Sequence, residues 1–243
     1  MNHISFFRAS SETAAKSIIS NTLNLRPKNV NLINAYSLAA AEESCDYESY
    51  SSPTSLNLYD GFLVGMVLGI FSNSRSNVTT RGVDILRYVF KLDEKSELKH
   101  FFICGSIEIK EKLLAVLSVQ NPNAKICGFW IPSPNFNLLE FDQEISDLFK
   151  TALPNVVWVG LGTPKQDKLS SFLVNEIDCT TIGVGAAFEF VSGLKKECPY
   201  FLRKLRLEWF YRLSQEPKRL WQRYTVDMYF FIKSILRNKF TEL

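Results

Sequence analysis

Short stretches rich in β-branched and aromatic residues recur along this chain, and a longer helical pattern separates each from the next. Asn29–Ile33, Phe101–Cys104, Lys125–Phe129, Val156–Val159 and Thr180–Val184 read as strands, short runs in which apolar and β-branched residues predominate. A strand without regular polar alternation is covered on both faces, the condition of a parallel sheet packed between helices. The intervening patterns predict helices over Ala35–Glu43, Asp84–Phe90, Ile107–Gln120, Phe141–Thr151 and Lys165–Asn175. Strand and helix in alternation predict an α/β fold with an open, doubly wound, mainly parallel sheet of Rossmann-like kind. That architecture binds ligands beyond the carboxyl ends of its strands.

Composition closes off several other classes. The chain has 243 residues, 46% of them hydrophobic, enough to bury a continuous core. A net charge of +3 does not call for a nucleic-acid partner. Cys45, Cys104, Cys127, Cys179 and Cys198 are widely spaced with no C-x-x-C, so neither a disulfide framework nor a structural zinc site is expected. The two histidines are His3, near the terminus, and His100 beside Lys99, which leaves little for a histidine-based triad or metal site. The D-x-D string that holds a cation in many sugar-nucleotide enzymes is absent, and the nearest string, Glu140-Phe141-Asp142, reads as solvated surface. The longest apolar run, Gly61 to Phe71, has eleven residues, against the roughly 20 that a spanning helix needs. MNHISFFRASSETAAKS has no sustained apolar core before a small-residue cleavage site, so the expected location is the cytoplasm.

Glycine and charge are both unevenly placed. Gly105, Gly160, Gly162, Gly183 and Gly185 fall at or just after predicted strand ends, where a backbone turns sharply or approaches a ligand. A lone G-x-G is an ordinary βα loop; two on successive units favour a phosphate- or nucleotide-binding rim. Residues 1–193 carry 16 basic and 20 acidic side chains, whereas residues 194–243 carry 12 and 5. The net charge therefore divides into −4 and +7. Leu205, Trp209 and Leu213, four apart, predict one apolar helical stripe, and Pro217 predicts the start of a second helix on which Arg219 and Arg223 share a face. Such a segment either packs on the core or docks on a membrane surface or an anionic ligand. Residues 1–197 are accordingly expected to form the α/β domain and 198–243 a basic, aromatic helical appendage.

Three strings in the second half are more specific together than singly: GLGTPKQ at 160–166, IGVGAAFEFVSG at 182–193 and LEWFYRLSQEPKRLWQRY at 207–224. They resemble, in order and spacing, the signature strings of the WecG/TagA/CpsF family of bacterial glycosyltransferases. Upstream, Asn34, Asp60-Gly61 and Gly82-x-Asp84 are collinear with that family's early asparagine, P-D-G and G-[ST]-D. The resemblance covers roughly residues 25–225. It implies an inverting transfer, without metal ion or other cofactor, from a UDP-sugar to a polyprenyl-diphosphate-linked acceptor in cell-surface polysaccharide (capsule or exopolysaccharide) synthesis. The sugar implied is N-acetylmannosamine, its uronic acid or a relative.

The resemblance also implies roles. Asp60 is the expected general base, Gln166 and Arg212 complete the catalytic set, and Arg212, Arg219 and Arg223 offer guanidinium forks to the diphosphate. Backbone amides around Gly160, Gly162, Thr163, Gly183 and Gly185 are expected to cradle the nucleotide. Asn34 is expected near the sugar or as the cap of the following helix, Lys165 near the diphosphate or in solvent, Glu189 as a loop brace or a substrate contact, and Arg81 as the basic residue beside G-x-D. The basic aromatic tail would meet the inner face of the cell membrane as a peripheral contact, since the implied acceptor is held there. A homo-oligomer is left open.

The chain departs from the family at three places. Leu32 stands where a threonine is usual, Tyr59 replaces the proline before the aspartate, and SNSRSNVTT at 72–80 replaces a more regular segment. These bear on substrate identity more than on reaction class. A nicotinamide oxidoreductase is disfavoured because no G-x-G-x-x-G opens the first βα unit. A non-catalytic scaffold or nucleotide-binding subunit of a polysaccharide assembly complex is the main alternative, with a glycan-binding module behind it.

Overall fold

In the computed structural model, parallel strands lie side by side with helices on both faces. Residues 4–44, 48–71, 78–93, 95, 97–133, 136, 143–236 and 240–242 are described. The strands are β1 (Ile4–Phe6), β2 (Asn29–Ile33), β3 (Ser55–Tyr59), β4 (Lys99–Cys104), β5 (Lys125–Trp130), β6 (Val156–Gly160), β7 (Thr180–Gly183) and β8 (Phe240–Glu242). They form one sheet in the order β5-β4-β6-β7-β2-β3-β1-β8, and every pairing is parallel. The expected Rossmann-like α/β fold is what the chain adopts, with the five expected strands at or within two residues of their predicted limits. Strands β1, β3 and β8 are additional. Two of them have only three residues, and β3 carries Asn57, so none shows a long apolar run.

The helices are α1 (Ser11–Leu23), α2 (Ala35–Ser44), α3 (Glu48–Ser51), α4 (Phe62–Phe71), α5 (Gly82–Leu92), α6 (Ile107–Gln120), α7 (Gln143–Ala152), α8 (Lys165–Glu176), α9 (Ala187–Val191), α10 (Tyr200–Lys204), α11 (Glu208–Gln215), α12 (Pro217–Gln222) and α13 (Met228–Leu236). Successive residues of a strand point to opposite faces. On β4 and β6 this sends Phe102, Cys104 and Trp158 toward α1, α5, α6 and α9, and Phe101, Ile103, Val157 and Val159 toward α7 and α8. His100 follows Trp158 into the first layer. It is fully buried, accepts a 3.1 Å hydrogen bond on Nδ1 from Trp158 Nε1 and lies against Phe90 at 4.4 Å. It belongs to the core. The apolar run from Gly61 forms α4, and Glu140-Phe141-Asp142 falls outside the described residues.

The second face is not apolar throughout. Between its two hydrophobic clusters runs a buried polar strip made of Asn29, Asn31, Asn57 and Thr181. Asn31 Nδ2 donates to Asn57 Oδ1 at 2.9 Å and to the Ser49 carbonyl at 2.8 Å, while Asn57 Nδ2 donates to the carbonyls of Ser5 at 2.9 Å and Tyr50 at 2.7 Å. Buried amides are costly unless paired, and here they pair with one another, with the Ser5 carbonyl of β1 and with the Ser49 and Tyr50 carbonyls of the four-residue helix α3. The strip thereby seats α3, and with it Tyr50, under the sheet.

The C-terminal fifty residues leave the sheet and return to it. Leu205, Trp209 and Leu213 do not share one helix. Arg206 takes a left-handed backbone (φ 61°), which ends α10 and lets α11 set off in a new direction. Pro217 does open α12, which passes through one π turn, Arg223–Asp227, into α13. Phe231 of α13 is buried with Ile4, Phe6, Ile33, Leu38 and Tyr59, and β8 extends the sheet beside β1. The segment is thus more than a helical appendage, because its far end completes a core cluster and a sheet edge.

Candidate active site

Because all strands are parallel, the loops after β2, β3, β4, β6 and β7 meet at one edge of the sheet. Two cavities open there, of about 710 Å³ and about 420 Å³. They share a wall to which Asn34, Asp60, Arg81, Glu208, Arg212 and Arg223 all contribute.

Asp60 directly follows β3. Its amide donates to the Ile33 carbonyl at 2.9 Å, and the residue forms a parallel bridge with Thr80, whose amide donates to the Tyr59 carbonyl at 2.8 Å. The carboxylate therefore projects from backbone pinned on both sides, and Gly61 (φ 90°) turns the chain at once into α4. Burial pushes the Asp60 carboxyl above the usual carboxylate range, with Glu208 adding to the rise. Arg212, Arg81 and a hydrogen bond with Asn34 oppose it. A carboxyl so held is a stronger proton acceptor than a solvated one. Asn34 is the cap of the following helix, its Oδ1 accepting from Ser37 N at 3.1 Å, and its side chain also hydrogen-bonds Asp60.

The smaller cavity is lined by the glycine loops. Gln166, near the start of α8, is 5% exposed, and its Oε1 accepts from the amides of Gly162 at 3.1 Å and Gly185 at 3.0 Å. This changes the role expected of those glycines. Two amides read as phosphate donors are already committed, and Gln166 braces one loop against the other. Gly183 packs closely against the same side chain, since a Cβ there would meet Gln166 Nε2 at 3.3 Å. Gly160 is required by another neighbour, because a Cβ would overlap the buried Phe188 ring. Thr163 lines this cavity with its side chain hydrogen-bonded to Asp167. Lys165 does not join them. It is exposed at the start of α8 and absent from the lining of both cavities, because the side chain follows a helix turn whose inner positions are Gln166 and Asp167. Glu189 borders the cavity and pairs with Lys195 at 2.9 Å, the loop-bracing role.

The larger cavity is amphipathic. Leu63, Val64, Trp209, Leu220 and Met228 supply apolar wall, and eight basic side chains face three acidic ones around it. Arg223 lies 4.3 Å over the Tyr36 ring, and Arg212 lies 5.3 Å over Phe190. Arg219 sits on α12, but its side chain is outside the described residues. Glu208 Oε1 lies 2.6 Å from Arg212 Nη2 and 3.0 Å from Arg81 Nη2, and Arg81 also reaches Asp84 at 3.2 Å. Glu208 is announced in the sequence only by the Arg four residues on, a helix pair that no motif singles out. No local pattern gives notice of Tyr36 or of the cations Arg87, Lys91, Arg203, Lys204 and Arg206 on the rim.

Comparison with known proteins identifies the family. The model of the family "Glycosyl transferase WecG/TagA/CpsF family" matches residues 2–243. A Bacillus subtilis (strain 168) protein named N-acetylglucosaminyldiphosphoundecaprenol N-acetyl-beta-D-mannosaminyltransferase is 27% identical over 195 residues, spanning 80% of this chain and 73% of that one. A Staphylococcus aureus (strain MW2) protein of the same name is 26% identical over 151 residues, 62% of this chain. The match spans 58% of that relative's length.

Proposed function

The chain belongs to the WecG/TagA/CpsF family of glycosyl transferases, and from that premise we propose that it moves N-acetylmannosamine, its uronic acid or a related sugar from a UDP-sugar to a polyprenyl-diphosphate-linked acceptor. The observation that carries the reading is the position of Asp60 in the wall common to both cavities. A base that serves two substrates must face both.

In this reading the donor nucleotide lies in the smaller cavity, over the glycine loops at the carboxyl ends of β6 and β7, where this architecture binds nucleotides. The acceptor enters the larger one, whose cations suit its diphosphate and whose apolar wall suits the first part of its chain. An acceptor hydroxyl gives its proton to Asp60 while its oxygen attacks the anomeric carbon. The bond from that carbon to the diphosphate breaks on the opposite side, its electron pair leaves with the diphosphate, and the configuration inverts. Arg212 and Arg223 meet the charge that develops. With arginines in that place, the step is proposed to need no metal ion. Tyr200, Phe201, Trp221 and Tyr229 are exposed on the basic tail, and no described helix is long and apolar enough to cross a membrane. Interfacial contact at the inner membrane face is therefore the proposed route to the lipid-linked acceptor.

The test is a panel of UDP-sugars offered with an N-acetylglucosaminyl-diphosphate polyprenyl acceptor, with product read by mass, with and without EDTA. The expected result is one sugar added with release of UDP, at a rate that chelation leaves unchanged. Transfer that stops on chelation overturns the metal-free step, and absence of product with every donor overturns the reading.

A further inference from the structure

The two arginines beside Asp60 are not directed at it. Glu208 Oε1 stands between them, 2.6 Å from Arg212 Nη2 and 3.0 Å from Arg81 Nη2, so one carboxylate oxygen joins helix α11 to the segment that leads into α5. The Glu208 side chain is 18% exposed and that of Arg81 is 15% exposed, a setting in which a shared carboxylate is worth more than a surface ion pair. The other groups that face Asp60 are Asn34 at the end of β2 and Arg212 on α11, with Tyr224 and Arg223 of the π turn and Tyr36 of α2 in the same wall. Among these, Arg212 is the cation that acts on Asp60 most strongly, and it does so across space while bonded to Glu208.

We propose that Glu208 is a positioning residue for the transfer: it clamps Arg212 to Arg81, holding Arg212 in the wall between the cavities and keeping it from closing on Asp60. The inference rests on Asp60 being the base. A guanidinium bonded directly to that carboxylate would stabilise its charged form and leave it a poorer proton acceptor. A guanidinium fixed a short way off remains available to the departing diphosphate. Glu208 thereby separates two tasks that the opposite charges of Asp60 and Arg212 would otherwise cancel, and its own negative charge helps Asp60 retain affinity for a proton.

The experiment is the pH dependence of kcat/KM for sugar transfer by the full chain, as wild type, Glu208→Gln, Glu208→Asp and Asp60→Asn. Glu208→Gln removes the clamp charge at nearly constant volume. Its acid limb is expected about one pH unit below that of wild type, with a plateau about tenfold lower. Glu208→Asp, which keeps the charge, should return the limb most of the way. An unmoved limb in Glu208→Gln, with only KM raised, overturns the inference and leaves Glu208 a packing residue. A residual rate in Asp60→Asn that keeps the wild-type limb overturns the assignment of the base instead, so the two failures are read on different variants. If Glu208→Gln turns over too slowly to profile, the Asp60 carboxyl is titrated directly by carbon-13 NMR of labelled aspartate, its resonance identified by its loss in Asp60→Asn. The same downward displacement is expected there, and its absence overturns the clamp.

Discussion

Tyr50 donates its hydroxyl to Asp167 Oδ2 at 3.0 Å, joining the four-residue helix α3 to the first turn of α8 across 117 positions of sequence. Burial pushes the Asp167 carboxyl up to about 6, against hydrogen bonds from Thr163, Tyr50 and Gln166 that favour its charged form. In the unfolded chain the group titrates near 4. Folding therefore takes up a proton between those values, and the group's stabilising contribution is complete below about pH 4 and lost as pH rises through about 6. Asp167→Asn mimics the protonated form and still accepts from Tyr50. Its unfolding free energy relative to wild type should rise between pH 4.5 and 7.5 by about 1–3 kcal/mol, read by urea titration across that range. A difference that stays flat with pH contradicts the assignment.

Gln166 supplies the second prediction. Its Oε1 holds the amides of Gly162 and Gly185 together, so Gln166→Ala should release both loops and lower kcat/KM for transfer by about a hundredfold. Gln166→Glu keeps both acceptor bonds but places a negative charge beside the proposed donor diphosphate. Its loss should appear mainly as a raised KM for the UDP-sugar. Equal effects on KM and kcat in both variants would argue against a brace.

Asp60→Asn preserves shape and removes the proton acceptor. Transfer should fall at least a hundredfold, in the range seen for loss of a general base, while UDP affinity measured by calorimetry changes less than about threefold. Retained transfer would overturn the assignment of Asp60 as the base.

The tail yields a fourth prediction, because its two kinds of aromatic residue do different work. Phe231 is 1% exposed and sealed among Ile4, Phe6 and Leu38, so Phe231→Ala should cost about 3–5 kcal/mol of stability. Trp221 and Tyr229 are 64% and 63% exposed. Replacing both by serine should leave stability within about 0.5 kcal/mol of wild type yet reduce co-sedimentation with vesicles of anionic lipid. Cutting the chain at residue 197 removes Phe231 and β8 together, so the shortened protein should show a loosened core, seen as increased binding of an apolar dye. Unchanged vesicle binding by the serine variant would remove the tail's proposed membrane contact.

Much of this molecule is written locally. Runs apolar on both faces define β4 and β6 as interior parallel strands, the glycines at or after the ends of β4, β6 and β7 mark the loops of the ligand edge, and Asp60, Gln166 and Arg212 stand within recognisable strings. Each is a property of a few neighbouring residues, set by side-chain period, backbone freedom or charge. What needed tertiary structure is how polar groups far apart in sequence satisfy one another. Asn31 with Asn57, Tyr50 with Asp167, and Glu208 with Arg81 are pairs whose members lie on different elements. Only the parallel register, which gathers strand ends on one edge and buries the strip behind them, makes each the other's best partner once water has left. The same packing decided that the glycine amides serve Gln166, that Lys165 faces away, and that a tail distinguished by its charge closes the core with Phe231.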